Sequence, residues 1–333
     1  MIQFGVMANT HPLPGTDLTR MVDEVIAEAQ HAERCGFDSF FLSEHHQEPS
    51  GYFPSPLPLA AAIAARTSTI RIGTGIVILP LYHPTRLAED SAVVDIISKG
   101  RLILGVGQGY QEGDFAAYGL QVSDRVSLFE EGIEILRRAW TEDAIYFVGK
   151  RHTLKNVTVT PKPVQKPHPP IWVAALGDEA MKRAGRLGDA LLADSFQLVD
   201  RLKRRVALYR ATAESRGRPH KVVLFREGYV APTRQEAIRE YEAGLLSTHR
   251  YYWRHGSYYQ DIKKEEDLDL RRISLDRLIL GSPDDCAEKI RMWHREVGAD
   301  HFLIRFRHPG GPAHDKVLRA LTLFGEAVIP KFR

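Results

Sequence analysis

The sequence predicts an α/β protein, a single (β/α)8 TIM barrel with insertions that takes in residues 1–333 as one domain. Three observations predict it. Eight short apolar segments recur along the chain, and each is followed by a stretch of helical periodicity. The rival open, doubly wound sheet would carry a Gly-rich dinucleotide turn after its first strand, and Ala8-Asn9-Thr10-His11-Pro12 is no such turn. A composition of 44% hydrophobic and 26% charged residues suits a globular protein with a large core.

Gln3 to Met7 reads as the first strand, and Leu18, Met21, Val22, Val25, Ile26, Ala29 and Ala32 then recur at helical spacing until Gly36. Phe37 to Leu42 is the second strand, followed by a polar loop and an Ala-rich helix from Leu57 to Arg66. Ile70 to Leu79 forms a long third strand, and a helix from Pro84 to Ser98 opens on proline and stops before Gly100. Arg101 to Gly107 is the fourth. Tyr146 to Pro170 breaks the alternation; its strand-like residues and five prolines suggest a surface hairpin with an extended connection. The alternation resumes with Ile171 to Ala175, Ala190 to Asp194, Val222 to Val230 and Asp300 to Phe306. Between the last two strands, Ser247 to Leu275 is aromatic at first (Tyr251, Tyr252, Trp253, Tyr258, Tyr259) and then charged; we expect a mobile lid.

A formal charge of +3, with both signs interspersed, gives no reason to expect nucleic acid. No stretch approaches the ~20 apolar residues of a membrane span and no signal peptide is visible, so a cytoplasmic protein is expected. Cys35 and Cys286 lack metal or redox spacing and read as packing residues.

Barrel active sites form where strand carboxyl ends meet the following loops. Those positions hold Asn9 and His11; Glu44, His45 and His46; Tyr82 and His83; Gln108, Gly109, Tyr110 and Glu112; Gly177 and Asp178; Ser195 and Gln197; Arg226, Glu227 and Tyr229; and Arg305, Arg307 and His308. A metal site at Glu44, His45, His46 and His83 is disfavoured, because adjacent strand residues face opposite ways, and none is assigned. Gly105 to Gly109 permits close backbone approach by a ligand, and Gly177-Asp178-Glu179 opens a helix whose free N–H groups favour an anion. Arg125 is a candidate bidentate phosphate partner.

The runs RIGTGIVILPLYHPTRLAED (Arg71 to Asp90) and SKGRLILGVGQG (Ser98 to Gly109) resemble the bacterial luciferase-like flavin monooxygenases. FDSFFLSEHH (Phe37 to His46), PPIWVA (Pro169 to Ala174) and Gly281-Ser282-Pro283 extend the likeness. The resemblance implies a β/α barrel with insertions that uses either reduced FMN and oxygen or a deazaflavin; Glu44-His45-His46 looks more like the first group. It implies that His45 assists proton transfer near the flavin, that Gly75-Ile76 is a non-prolyl cis peptide beneath the ring, and that Arg125 binds phosphate. With Gln108, Gly109, Tyr110, Ala175, Gly177 and Asp178, these form the expected cofactor set. His11, Arg226 and Arg307, with Tyr252 and Trp253 of the expected lid, are candidates for substrate contact.

Three positions depart from luciferase. Gln108 stands for its arginine, Gly107 for its reactive cysteine, and Leu176-Gly177 for a Glu-Ser pair, so light emission is not expected. The expected activity is monooxygenation of a small organic substrate by a homodimer, with reduced FMN supplied by a separate NAD(P)H-dependent flavin reductase. Deazaflavin-dependent hydride transfer and a non-catalytic flavin-binding protein are the alternatives.

Overall fold

The computed structural model describes residues 1–255 and 261–333. In chain order the elements are β1 (Gln3–Met7), α1 (Leu18–Arg34), β2 (Ser39–Leu42), α2 (Pro56–Ala64), β3 (Arg71–Thr74), β4 (Val77–Ile78), α3 (Pro84–Ile97), β5 (Leu102–Gly107), α4 (Glu112–Ala117), α5 (Arg125–Thr141), β6 (Ile145–Val148), β7 (Thr153–Val157), β8 (Ile171–Ala175), α6 (Asp178–Leu187), β9 (Ala190–Ala193), α7 (Val199–Glu214), β10 (Lys221–Val230), α8 (Arg234–Arg254), α9 (Leu270–Ile273), β11 (Ile279–Gly281), α10 (Pro283–Val297), β12 (His301–Arg305) and α11 (His314–Ala327). Eight strands close a parallel barrel in the order β1-β2-β3-β5-β8-β9-β10-β12 and back to β1. Each predicted strand segment supplies one of them.

Alternation along the strands sorts side chains into two cores. Met7, Phe41, Ile103, Trp172, Ala190, Leu192, Val223 and Leu303 fill the barrel. Their neighbours Val6, Phe40, Leu42, Leu102, Leu104, Val173, Leu224 and Ile304 meet the surrounding helices. Phe41 stacks on Trp172 across the interior, ring centroids 5.2 Å apart. That ring needs Gly73 on the next strand, where an added Cβ would lie 2.3 Å from Phe41 Cε1. Gly105 is tighter still, since a Cβ there would lie 1.9 Å from the Thr74 carbonyl oxygen.

The structure differs from expectation at three places. Predicted strand three is divided: β3 and β4 flank a cis Gly75–Ile76 peptide, and Leu79–Leu81 is a 3-10 turn. β11 has no counterpart among the predicted strands; it pairs with the overhanging end of the ten-residue β10, where extra backbone N–H and C=O groups require partners. The aromatic half of the expected lid is regular, since α8 continues through Tyr251, Tyr252 and Trp253 to Arg254. Its Thr233 N-cap and the buried positions Tyr241, Leu245, Thr248 and Tyr252, near helical spacing, explain the extension. Tyr258 and Tyr259 lie outside the described residues.

The hairpin forms as expected from antiparallel β6 and β7. Among the described residues no helix is long and apolar enough to cross a membrane.

Candidate active site at the barrel mouth

β2 runs directly into Ser43-Glu44-His45-His46, and the two histidines separate as their adjacency requires. His45 stacks on Tyr52 at 4.2 Å between ring centroids, and His11, arriving from β1, stacks on the same phenol at 4.4 Å. Tyr52 is held in turn by Ser43 Oγ at 3.1 Å, which lies 3.1 Å from Thr10 Oγ1. The Tyr252 hydroxyl, on the last turn of α8, is 3.4 Å from His45 Nε2. His45 Nδ1 is buried with no hydrogen-bond partner among the described residues.

Burial, reinforced by the Arg305 guanidinium, pushes His45 down to about 3, and the same two causes push His11 down to about 4. Both imidazoles are therefore neutral at physiological pH. The unperturbed value near 6.5 assumed for a free histidine does not apply in this pocket.

His46 turns the other way. Its Nε2 lies 2.8 Å from Glu44 Oε1, and Tyr82 donates its hydroxyl to Glu44 Oε2 at 2.9 Å. Burial raises the Glu44 carboxyl; His46 is also raised, because the carboxylate outweighs its own burial. Among the described residues no group of three His, Cys, Asp or Glu side chains is placed to hold a metal ion.

On the opposite arc, α6 opens at Gly177, where an added Cβ would meet nothing within 4 Å. Asp178 at this helix start is bound by Arg205 Nε at 2.9 Å and Arg204 Nη1 at 3.0 Å. Arg125 is the first residue of α5 and donates to the Val122 carbonyl at 2.9 Å, leaving further guanidinium N–H groups available. α5 and α6 are tied by Glu130, 2.8 Å from Arg183 Nε. Gly107 lines the floor beside Ile76, whose Cδ1 would lie 2.7 Å from a Cβ there. Gln108 and Gly109 follow at the rim, Gly109 with φ of 71°, and Tyr110 is half exposed.

Several candidates lie elsewhere. Arg226 faces outward: its guanidinium packs 3.9 Å from the Trp293 ring centroid and donates to the carbonyls of Asp194 and Phe225, so it braces α10 against the sheet. Burial pushes it down to about 9. Ala175 belongs to the outer core, and Ala174 is the inward neighbour. Trp253 packs on the outer core. Arg307 is bound to Glu24 at 2.6 Å and Glu28 at 2.8 Å on α1. The parity of β10 and β12 brings inward two residues outside the expected cofactor and substrate sets, Glu227 and Arg305, with Nη1 to Oε1 at 3.6 Å. Sequence reasoning also misses Tyr52. A polar loop gives no periodic signal for the ring it will bury.

Fold and site define a β/α-barrel enzyme whose candidate functional side chains converge at the strand carboxyl ends. The sequence profile of the luciferase-like monooxygenases matches residues 2–301, and the chain belongs to that family. It is 26% identical to an F420-dependent glucose-6-phosphate dehydrogenase of Amycolatopsis mediterranei, covering 93% of this chain and 94% of the relative. It is 30% identical to the oxygenase component of the flavin-dependent trigonelline monooxygenase of Acinetobacter baylyi, covering 66% of this chain and 62% of that one. Among solved structures, monooxygenase RslO1 of Streptomyces bottropensis superposes over 100% of both chains, with TM-score 0.88 and 27% identity. The protein is thus a luciferase-like oxidoreductase, in a family with both flavin-dependent and F420-dependent relatives.

Proposed function

We propose that the protein is a flavin-dependent monooxygenase that takes reduced FMN from a separate NAD(P)H-dependent reductase and oxygenates a small organic substrate. The observation that carries the reading is His45: a neutral, buried imidazole with an unpartnered Nδ1, fixed against Tyr52 at the mouth of the barrel. The similarity to a protein named as an oxygenase component supports a two-component arrangement.

The residues present fit the cofactor. Gly177 leaves open backbone that a Cβ would narrow, Gly107 lets the Ile76 side chain close against the floor, and the start of α6 and Arg125 offer N–H donors to a terminal phosphate. Gln108, Gly109, Tyr110 and Asp178 complete the rim of that arc. Reduced FMN, when bound, supplies the electrons for oxygen activation. His45 is placed to hold or pass a proton at Nδ1, with Tyr52 and Tyr252 fixing its ring. His11, Tyr251 and Tyr252 shield the mouth from water, and a lid role for Ser247 to Leu275 is part of this reading. The exposed Val93, Ile96 and Ile97 of α3 support pairing as a homodimer.

Deazaflavin-dependent hydride transfer is the second reading, favoured by the F420-dependent relative that spans nearly the whole chain. Binding of oxidised FMN, reduced FMN and F420 should be measured side by side, followed by oxygen uptake. Preference for reduced FMN with oxygen uptake bears out the proposal. Tight F420 binding without oxygen uptake replaces it with the second reading.

A further inference from the structure

Arg305 is the last residue of β12, 6% exposed, on the inward face that Leu303 shares. Burying a guanidinium costs several kcal/mol unless its donors are met. Arg307, two residues on, meets that requirement with short contacts to Glu24 and Glu28. Arg305 does not. Its Nε has no hydrogen-bond partner among the described residues, and its nearest carboxylate oxygen, on Glu227, stands 3.6 Å from Nη1, outside hydrogen-bond range. A pair serving only as a structural brace would close to ~2.7–2.9 Å. Glu227 Oε2 is likewise unpartnered by hydrogen bonds, 3.3 Å from His308 Nε2.

The surroundings say what would complete the arginine. The guanidinium carbon lies 5.0 Å from the centroid of Phe225, and Phe196 meets Tyr252 edge-on at 5.5 Å. Tyr52 and Tyr252 face His45 in the same half of the mouth. In the barrel order, β12 and β1 lie across from β5 and β8, whose following loops carry the phosphate candidates Gln108, Gly177 and Asp178. The half containing Arg305 is therefore left to the substrate.

We propose that Arg305 anchors the carboxylate of a small, flat, aromatic substrate acid, with Phe225 and Tyr252 receiving its ring. This deepens the monooxygenase reading and rests on it for the word substrate. Glu227 is the positioning residue: it holds the guanidinium in the mouth without occupying its donors. The arrangement has a consequence for His45 and His11, both held down in part by the charge of Arg305. A bound carboxylate offsets that charge and raises both imidazoles toward the range in which they exchange protons.

Benzoate and its neutral isostere benzamide are the probes, titrated calorimetrically into flavin-free and FMN-saturated protein, with flavin binding read separately by fluorescence quenching. Wild type should prefer benzoate by about tenfold or more. Arg305→Gln should abolish the preference, and Arg305→Lys should keep part of it; if Arg305→Gln fails to fold, the wild-type ratio and the lysine variant carry the test. Equal affinity for the two probes, no benzoate binding at millimolar concentration, or an unchanged preference in folded Arg305→Gln overturns the anchor. A benzoate preference without FMN binding would leave the anchor standing and remove the flavin reading. FMN binding without the preference would do the reverse.

Discussion

The imidazole of His45 lies face to face with the phenol of Tyr52, centroids 4.2 Å apart and planes 26° from parallel, while its Nδ1 remains without a partner among the described residues. The stack fixes the ring and leaves one nitrogen to work. His45→Ala should keep the fold and most of the flavin affinity while turnover falls by ~100-fold or more. Single-turnover kinetics with prebound reduced FMN tests this; a wild-type rate from pH 6 to 9 makes the histidine structural.

Acid should weaken the fold early. His11, His45 and His249 are pushed down to about 4, 3 and 3, and His301 and His308 lie well below their ordinary value, burial being the main cause throughout. The unfolded chain binds these protons near pH 6.5 and the folded one does not, so their stability contribution is full above that pH and is lost as pH falls toward 4 and 3. For His45 and His249 the slope approaches ~1.4 kcal/mol per pH unit each. Glu44 and Glu227, raised by burial, work in the opposite sense above about pH 4.5, but they are fewer. Denaturant midpoints should drop from pH 7 to pH 5, and equal midpoints would contradict the neutral histidines.

Arg125→Ala should weaken FMN by ~1.5–3 kcal/mol through loss of a charge-assisted contact and leave riboflavin unaffected. Fluorescence titration with both flavins reads the difference. Equal affinity of wild type for the two would remove phosphate from the site.

Two glycines of β5 should separate folding from binding. Gly105→Ala drives a Cβ into the Thr74 carbonyl, which is backbone and cannot yield, so soluble protein should be lost or stability cut by ~3 kcal/mol or more. Gly107→Ala meets side chain rather than backbone, Ile76 Cδ1 at 2.7 Å and Cγ1 at 3.0 Å, so the fold should survive with Ile76 displaced while flavin affinity falls. Thermal melts and flavin titration on both variants check the contrast, and equal melting temperatures would refute it.

If Ser247 to Leu275 acts as a lid, limited proteolysis there should slow when flavin and substrate are bound. Its internal ion pairs, Arg254 with Glu265 and Arg272 with Asp267, are exposed and individually weak. Thr248 with His308, Tyr251 with Glu48, Asp261 with Arg277 and the buried Ile262, Leu268 and Ile273 tie it to the barrel and would have to release for it to open. Equal cleavage in both states would make it a fixed insertion.

The barrel is legible in the residues alone, because the alternation of apolar strands with amphipathic helices is a local signal repeated eight times, and that signal brought His11, His45 and Gly177 to the right end of their strands. The sequence could not set which side of a strand faces in. Strands of a parallel barrel are buried on both faces, so in Val222 to Val230 both parities are largely apolar and nothing local separates inward Glu227 from outward Arg226. Closure of the barrel decided that phase, sending Arg226 to Trp293 and Glu227 to Arg305. The tertiary structure also decided the state of His45. A free imidazole titrates near neutrality, and only the burial and the guanidinium supplied by β12, distant in sequence, hold it neutral.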